Sequence, residues 1–148
     1  MLLPAKDQLK ICFAHPAYQM ADRFAARGTG IGHVQVRDAQ AFAAALPEAD
    51  VVVVSMMWKN DLAPSAKRLK LIQSISAGID QYDREVLRAH GIRLANAAGV
   101  NAHAVAEHAM ALILALKRPL HTGRDNQAAG PWRGMISETG AREEPLGG

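Results

Sequence analysis

The residues best suited to chemistry form a short turn of small side chains, Ser76-Ala-Gly-Ile-Asp80. The turn follows an apolar run that is typical of a β-strand, and open α/β sheets bind ligands at the carboxyl ends of their strands. The small side chains of Ala77 and Gly78 let a ligand approach the backbone closely. Successive free N–H groups in such a turn form a concave site that suits a carboxylate. The pentapeptide therefore predicts either a carboxylate-binding turn or an ordinary connection between a strand and a helix.

A second glycine-rich run, Gly28-Thr-Gly-Ile-Gly32, resembles the start of a dinucleotide-binding fingerprint. His33 occupies the position of the third glycine, so the fingerprint is incomplete. The run also follows a predicted helix and precedes a predicted strand, whereas pyrophosphate binding needs a turn that opens a helix. We interpret the run as a turn.

Three other side chains are poor candidates for chemistry. His103 and His108 stand five residues apart, so on a helix their rings diverge by about 140° and cannot share a metal ion. Cys12 is the single cysteine and lies in an apolar run, which predicts an inert core thiol. A lone cysteine also excludes an internal disulfide and favours a reducing compartment. We therefore expect no metal site and a cytoplasmic protein.

The composition is ordinary for a globular protein, since 49% of the 148 residues are hydrophobic and 21% are charged. There are 17 Lys and Arg residues against 14 Asp and Glu residues, which gives a formal net charge of +3. The basic residues are scattered, whereas nucleic-acid binding needs a clustered positive face. The longest apolar run, Ala109–Leu116, is well short of the roughly 20 residues that a membrane span needs. Neither nucleic acid nor a membrane is an expected partner.

The elements that must position the 76–80 turn alternate between strand-like and helix-like segments. Consecutive β-branched residues in Asp50–Val54 predict a parallel strand that is covered on both faces. The alternation predicts an α/β fold with a doubly wound parallel sheet of about five strands. The predicted strands are Leu9–Ala14, Val34–Val36, Asp50–Val54, Leu71–Ile75 and Ile92–Ala95, and the helices between them are Tyr18–Arg27, Ala39–Leu46, Leu62–Arg68 and Asp83–His90.

The last third of the chain differs from the rest. Ala102–Leu116 is Ala-rich and has high helix propensity, and Asn101 is well placed to cap its start. The helix is apolar nearly all round from Ala109 onward, which predicts several neighbours. From His121 the chain is rich in Gly and has little periodicity, as is typical of a connector.

Four motifs resemble those of the D-isomer-specific 2-hydroxyacid dehydrogenases, in the order and spacing of that family. The family includes formate, phosphoglycerate and glyoxylate/hydroxypyruvate members. The resemblance is dense from Asp50 to Arg118. The motifs are Leu69–Asp80, Gly91–Asn96, Gly99–Asn101 and Val105–His108.

The resemblance implies a flavodoxin-like substrate domain over residues 1–98 and an inter-domain and dimerisation helix over residues 99–120. It further implies a connector over residues 121–148 that leads to a Rossmann coenzyme domain. In that family, hydride passes between NAD(P) and C2 of a small 2-hydroxy or 2-keto acid in the cleft between the two domains. We therefore expect a homodimer through the helix Val105–Leu116.

The resemblance also implies which residues bind substrate. The backbone at Ala77, Gly78 and Ile79 would hold the substrate carboxylate, and the amide of Asn101 would contact the substrate. Trp58 would form a wall of the pocket. The family's catalytic arginine, histidine and acid, and its glycine fingerprint, would fall beyond the last residue of the chain.

We therefore expect an inactive N-terminal part of an NAD(P)-dependent dehydrogenase, with no catalytic or coenzyme-binding residue of its own. NAD or NADP would bind only to the full-length parent. The alternative is a free-standing flavodoxin-like module that binds carboxylates or has a regulatory role without redox activity.

Overall fold

A computed structural model describes residues 3–130, Ser137 and Pro145. The chain forms two compact units, Met1–Val100 and Asn101–Gly148. The predicted domain boundaries at residues 98 and 120 stay predictions. Most of the predicted connector over residues 121–148 lies outside the described residues.

Within the described residues, the first unit is built on the strands β1 (Lys10–Ala14), β2 (Gly32–Val36), β3 (Val51–Val54), β4 (Leu71–Ser74) and β5 (Arg93–Ala95). All neighbouring strands are parallel, and they form one sheet in the order β2-β1-β3-β4-β5. This confirms the predicted α/β fold with a doubly wound parallel sheet. The order is the flavodoxin-like one.

Each face of the sheet carries a hydrophobic core, because successive residues of a strand point to opposite faces. Cys12 of β1 and Val52 of β3 belong to one core, whereas Phe13 and Val51 belong to the other. Both faces of β3 are therefore covered, which explains why Val51–Val54 is an uninterrupted apolar run.

The helix Arg84–Ala89 has a capping motif at each end. Asp83 caps the start of its helix, because its Oδ1 accepts hydrogen bonds from two backbone N–H groups of the first turn at 2.9 and 3.1 Å. At the other end Gly91 has a positive φ of 67°. The N–H groups of Gly91 and Ile92 donate to carbonyls of the last turn at 3.0 and 2.9 Å, as in a Schellman motif. The helices of this unit are α1 (Met20–Ala25), α2 (Ala39–Ala45) and α3 (Arg84–Ala89).

Two predictions about helices are wrong. The structure has a 3₁₀-helix over Asn60–Ser65 in place of the predicted helix Leu62–Arg68. Pro64 lies within this segment, and a proline removes a backbone donor and disfavours a regular α-helix. In addition, the helix α5 (Leu120–Ala129) forms where the sequence predicts only a connector. This helix has no buried residue, so no apolar periodicity marks it in the sequence.

A buried carboxylate ties together the amino ends of the central strands. The side chain of Asp50, which precedes β3, is only 3% exposed. Its Oδ2 accepts a hydrogen bond from the backbone N–H of Lys10 at 2.9 Å. The guanidinium of Arg68, in the segment before β4, donates to both carboxylate oxygens at 3.3 and 2.9 Å. One side chain thus links the starts of β1 and β3 to the segment that leads into β4.

The second unit contains α4 (Ala102–Lys117) and α5. No residue of α4 is buried, and Leu112 and Leu116 are 53% and 74% exposed. The prediction that Asn101 caps α4 is wrong, because its side chain makes no capping hydrogen bond. Its φ of −121° and ψ of 15° depart from the extended conformation of a capping residue. Within the described part of the chain, no helix has the length and apolarity needed to cross a membrane.

We expect alkaline pH to destabilise the first unit through Cys12. This residue is fully buried, and burial raises the pKa of its thiol from 9.0 to about 11. A group whose pKa is higher in the folded chain stabilises the fold below its unfolded pKa, and the contribution is lost as the pH rises through the folded pKa. From about pH 8 to about pH 10.5, the free energy of unfolding of the wild-type chain should fall by up to about 2 kcal/mol more than that of Cys12→Ala. Urea unfolding of both proteins measures this, and equal losses would contradict it.

Candidate functional site

The carboxyl ends of the three central strands lie at one edge of the sheet. Val54, the last residue of β3, pairs with Ala14 of β1 and with Ser74 of β4. In a sheet of this order, the connections reverse direction between β1 and β3, and ligands bind outside the carboxyl ends of the strands near that point. The candidate site is therefore this edge, where Ser55 and the 76–80 turn follow their strands.

The 76–80 turn carries backbone donors without acceptors. Ala77 and Gly78 are exposed, and within the described chain their N–H groups and that of Ile79 donate no hydrogen bond. Ile79 packs against the larger core, and its carbonyl accepts a hydrogen bond from the N–H of Tyr82 at 3.0 Å. The turn is thus anchored at its end, and these three N–H groups remain available to an anion.

The chain itself does not require a glycine at position 78. Gly78 has no positive φ, so its backbone conformation is open to other residues. A Cβ added at Gly78 would lie 3.4 Å from Oδ2 of Asp80, which is an ordinary contact. The position that a Cβ would occupy therefore lies beside the Asp80 carboxylate.

Serine side chains connect the turn to the strands beneath it. The hydroxyl oxygens of Ser55 and Ser76 are 2.6 Å apart, which joins the loop after β3 to the loop after β4. The hydroxyl oxygen of Ser74 accepts a hydrogen bond from the N–H of Ser76 at 3.2 Å. These contacts hold the start of the turn at the sheet edge.

The loop after β5 reaches the same turn. The side-chain amide of Asn96 donates to the carbonyl of Ala77, with Nδ2 and O 2.7 Å apart. The N–H of Ala97 donates to the carbonyl of Ser76 at 3.1 Å. Sequence reasoning misses both Asn96 and Ser55 as site residues. Each of their contacts joins the loops after two different strands, which the sequence does not reveal. The signal that could have indicated Asn96 and Ser55 is that each directly follows a strand.

Trp58 is buried rather than open to solvent. It is 4% exposed and belongs to the larger core. Its indole N–H donates to Oδ1 of Asn60 at 3.1 Å, and its ring centroid lies 6.5 Å from that of Tyr82. The hydroxyl of Tyr82 donates to the carbonyl of Val54, and burial raises the pKa of this phenol. Trp58 thus supports the loop after β3, and its predicted contact with substrate stays a prediction.

His15 follows β1 at the same edge. Its Nδ1 accepts hydrogen bonds from the N–H groups of Ala17 and Tyr18 at 3.1 and 2.9 Å. These bonds assign the ring proton to Nε2. The ring stacks on Tyr18 with 4.2 Å between centroids. The residue thereby holds the turn after β1 in place.

Asn101, the remaining predicted site residue, lies in the second unit directly before α4. Within the described chain, its side-chain amide makes no hydrogen bond. The structure therefore brings Ala77, Gly78 and Ile79 together in one turn and leaves the amide of Asn101 without a bond of its own.

The residues present do not fit a dinucleotide. The glycine-rich run Gly28–Gly32 connects α1 to the start of β2, so it lies at the amino end of a strand and does not open a helix. Pyrophosphate binding by such a loop needs a helix N-terminus directly behind it. The sequence holds no complete Gly-x-Gly-x-x-Gly motif.

Comparison with known proteins decides the family. The model of the D-isomer specific 2-hydroxyacid dehydrogenase catalytic domain matches residues 13–144. The chain belongs to this family. D-3-phosphoglycerate dehydrogenase of Mycobacterium leprae is 34% identical over 92 residues, which are 61% of this chain and 17% of that protein. Hydroxypyruvate reductase of Thermotoga maritima is 35% identical over 89 residues, which are 59% of this chain and 29% of that protein.

Solved structures share the fold of the chain. An NAD-dependent formate dehydrogenase from Staphylococcus aureus in complex with NAD matches 84% of this chain and 43% of its own, with 22% identity and a TM-score of 0.62. A D-lactate dehydrogenase with NAD+ from Lactobacillus jensenii matches 87% of this chain and 42% of its own, with 16% identity and a TM-score of 0.69. The chain thus spans about two fifths of these structures and less than a third of the two relatives above.

Proposed function

We propose that this chain is the substrate-binding part of an NAD(P)-dependent oxidoreductase that transfers hydride between the coenzyme and C2 of a small 2-hydroxy or 2-keto acid. The observation that carries the proposal is the 76–80 turn at the ligand-binding edge of the sheet, in which the N–H groups of Ala77, Gly78 and Ile79 have no acceptor in the described chain. Membership of the 2-hydroxyacid dehydrogenase family supports it.

The substrate carboxylate would bind to the N–H groups of Ala77, Gly78 and Ile79. Hydrogen bonds from N–H groups to an ionised carboxylate are shorter and stronger than bonds between neutral groups. The turn supplies them from backbone that no side chain at Gly78 covers. The unbonded amide of Asn101 would add a donor for the substrate, and Trp58 would act by supporting the loop after β3.

The coenzyme would be held elsewhere, because the residues present here do not fit NAD or NADP. We expect the chain by itself to bind no NADH and to have no dehydrogenase activity. The lone buried thiol of Cys12 is consistent with a reducing compartment, and we propose a cytoplasmic location.

A carboxylate-binding or regulatory module without redox activity is the second candidate. It is favoured by the fact that the 76–80 turn and its supports all lie within the first unit. The two candidates differ in that only the oxidoreductase would reduce a 2-keto acid. NADH-dependent reduction of a 2-keto acid, once the chain is joined to a family coenzyme domain, would support the oxidoreductase and exclude the module.

The carboxylate site predicts binding of oxamate, an unreactive analogue of a 2-keto acid. Ligand-observed NMR titration should show saturable, weak binding to the wild-type chain and none of neutral oxamide. Gly78→Ala should weaken oxamate binding by about tenfold or more, about 1.4 kcal/mol, because the added methyl group adds bulk next to the Gly78 N–H. Its urea unfolding should match the wild type, since the added Cβ meets only an ordinary contact.

Gly123→Ala, the same change in α5, is the matched control and should bind oxamate as the wild type does. Absence of oxamate binding, or equal affinity for oxamide, would contradict the carboxylate site. Saturable NADH fluorescence enhancement would contradict the expectation that the chain alone binds no coenzyme.

The exposed apolar side chains of α4 predict a homodimer through Val105–Leu116. Large exposed apolar surfaces drive association, and Leu112 and Leu116 are more than half exposed. We expect a dimer by sedimentation velocity. The double variant Leu112→Glu and Leu116→Glu should be monomeric, whereas His103→Glu, which adds a charge at the start of the same helix, should stay dimeric. A monomeric wild-type chain at high concentration would contradict the proposal.

A further inference from the structure

We propose that Asn96 is a positioning residue of the carboxylate site, which fixes the direction of the Gly78 N–H through the carbonyl of Ala77. The proposal rests on the function proposed above. Asn96 directly follows β5, and its Nδ2 lies 2.7 Å from the Ala77 oxygen, at the short end of the range for N–H···O bonds.

Peptide geometry carries this contact across to the ligand side. A trans peptide is planar, so the carbonyl of one residue and the N–H of the next point in opposite directions. The Ala77 carbonyl and the Gly78 N–H belong to one such peptide. Because Asn96 holds the carbonyl on the side of the β5 loop, the N–H is held facing away from that loop.

The preceding peptide is held in the same way. The N–H of Ala97 donates to the carbonyl of Ser76 at 3.1 Å, which turns the N–H of Ala77 away from the β5 loop. Two successive N–H groups are thereby oriented by two successive residues after β5. A carboxylate has two oxygens, so two adjacent oriented donors match its chemistry.

The side chain at position 96 must therefore donate a hydrogen bond, and filling the same volume is not enough. In exposed glycine-containing turns a peptide can rotate with little steric cost. With Asn96 removed, the Ala77–Gly78 peptide would lose its one side-chain restraint in the described chain. Binding a carboxylate would then require this peptide to be ordered first, which lowers affinity.

The test uses Asn96→Asp, which keeps the shape but replaces the donor with a carboxylate at neutral pH. At about pH 7 we expect oxamate to bind at least about tenfold more weakly than to the wild type. As the pH falls through the ordinary range of an Asp side chain, about 4, the protonated carboxyl can donate again. Binding should then recover towards the wild-type value at the same pH. A merely structural role for Asn96 would not produce this recovery. Asn126→Asp, with the same change on α5, should bind as the wild type at each pH.

Backbone relaxation supplies a readout that needs no ligand. In the wild-type chain the Gly78 N–H should have the order parameter of rigid backbone, about 0.85, and in Asn96→Ala it should fall towards the flexible range, below about 0.6. Unchanged Gly78 order in Asn96→Ala, or wild-type oxamate affinity of Asn96→Asp at about pH 7, would overturn the positioning role and leave the carboxylate site standing. If the wild-type chain binds no oxamate, the function proposed above fails instead.

Discussion

The pairing register of β3 sets the level at which the strands of the candidate site end. Val54 pairs with Ala14 on one side and with Ser74 on the other, so three strands end at one level, and the loops after β3 and β4 meet through Ser55 and Ser76. Asp50 stabilises the same register at the amino ends of the strands, through its hydrogen bonds to Lys10 and Arg68. A slip of one residue would turn every side chain of a strand to the other face. Because buried Asp50 would lose these hydrogen bonds, such a slip is strongly disfavoured.

Much of the fold was predictable from the sequence because its strands are local apolar runs. The predicted strand Asp50–Val54 corresponds to Val51–Val54, and the other four predicted strands overlap the observed ones. The predictions were wrong where a proline opposes the helix that the apolar pattern favours, and where a helix has no apolar pattern to mark it. Pro64 disfavours an α-helix in a segment of helical apolar spacing. The exposed helix α5 has no apolar face to mark it.

The candidate site was predictable only in its local part. The 76–80 turn was predictable because it is a run of small residues directly after a strand-like apolar run. Both features can be read from the sequence. The partners of the turn were not predictable. Ser55 lies 21 residues from Ser76, and Asn96 lies 19 residues from Ala77. These pairs meet only because β4 lies between β3 and β5 in the sheet, an order that hydrophobic periodicity does not specify.

The central claim is that the N–H groups of the 76–80 turn bind a carboxylate, and a protein-observed NMR titration with oxamate tests it most directly. In ¹H–¹⁵N correlation spectra we expect saturable shifts concentrated at Ala77, Gly78 and Ile79, and no such response to oxamide. A saturable response centred elsewhere would contradict the account. One such place is the separate cavity of about 330 Å³ that Arg88 and Arg93 help to line. Absence of any saturable shift at the turn would contradict it equally.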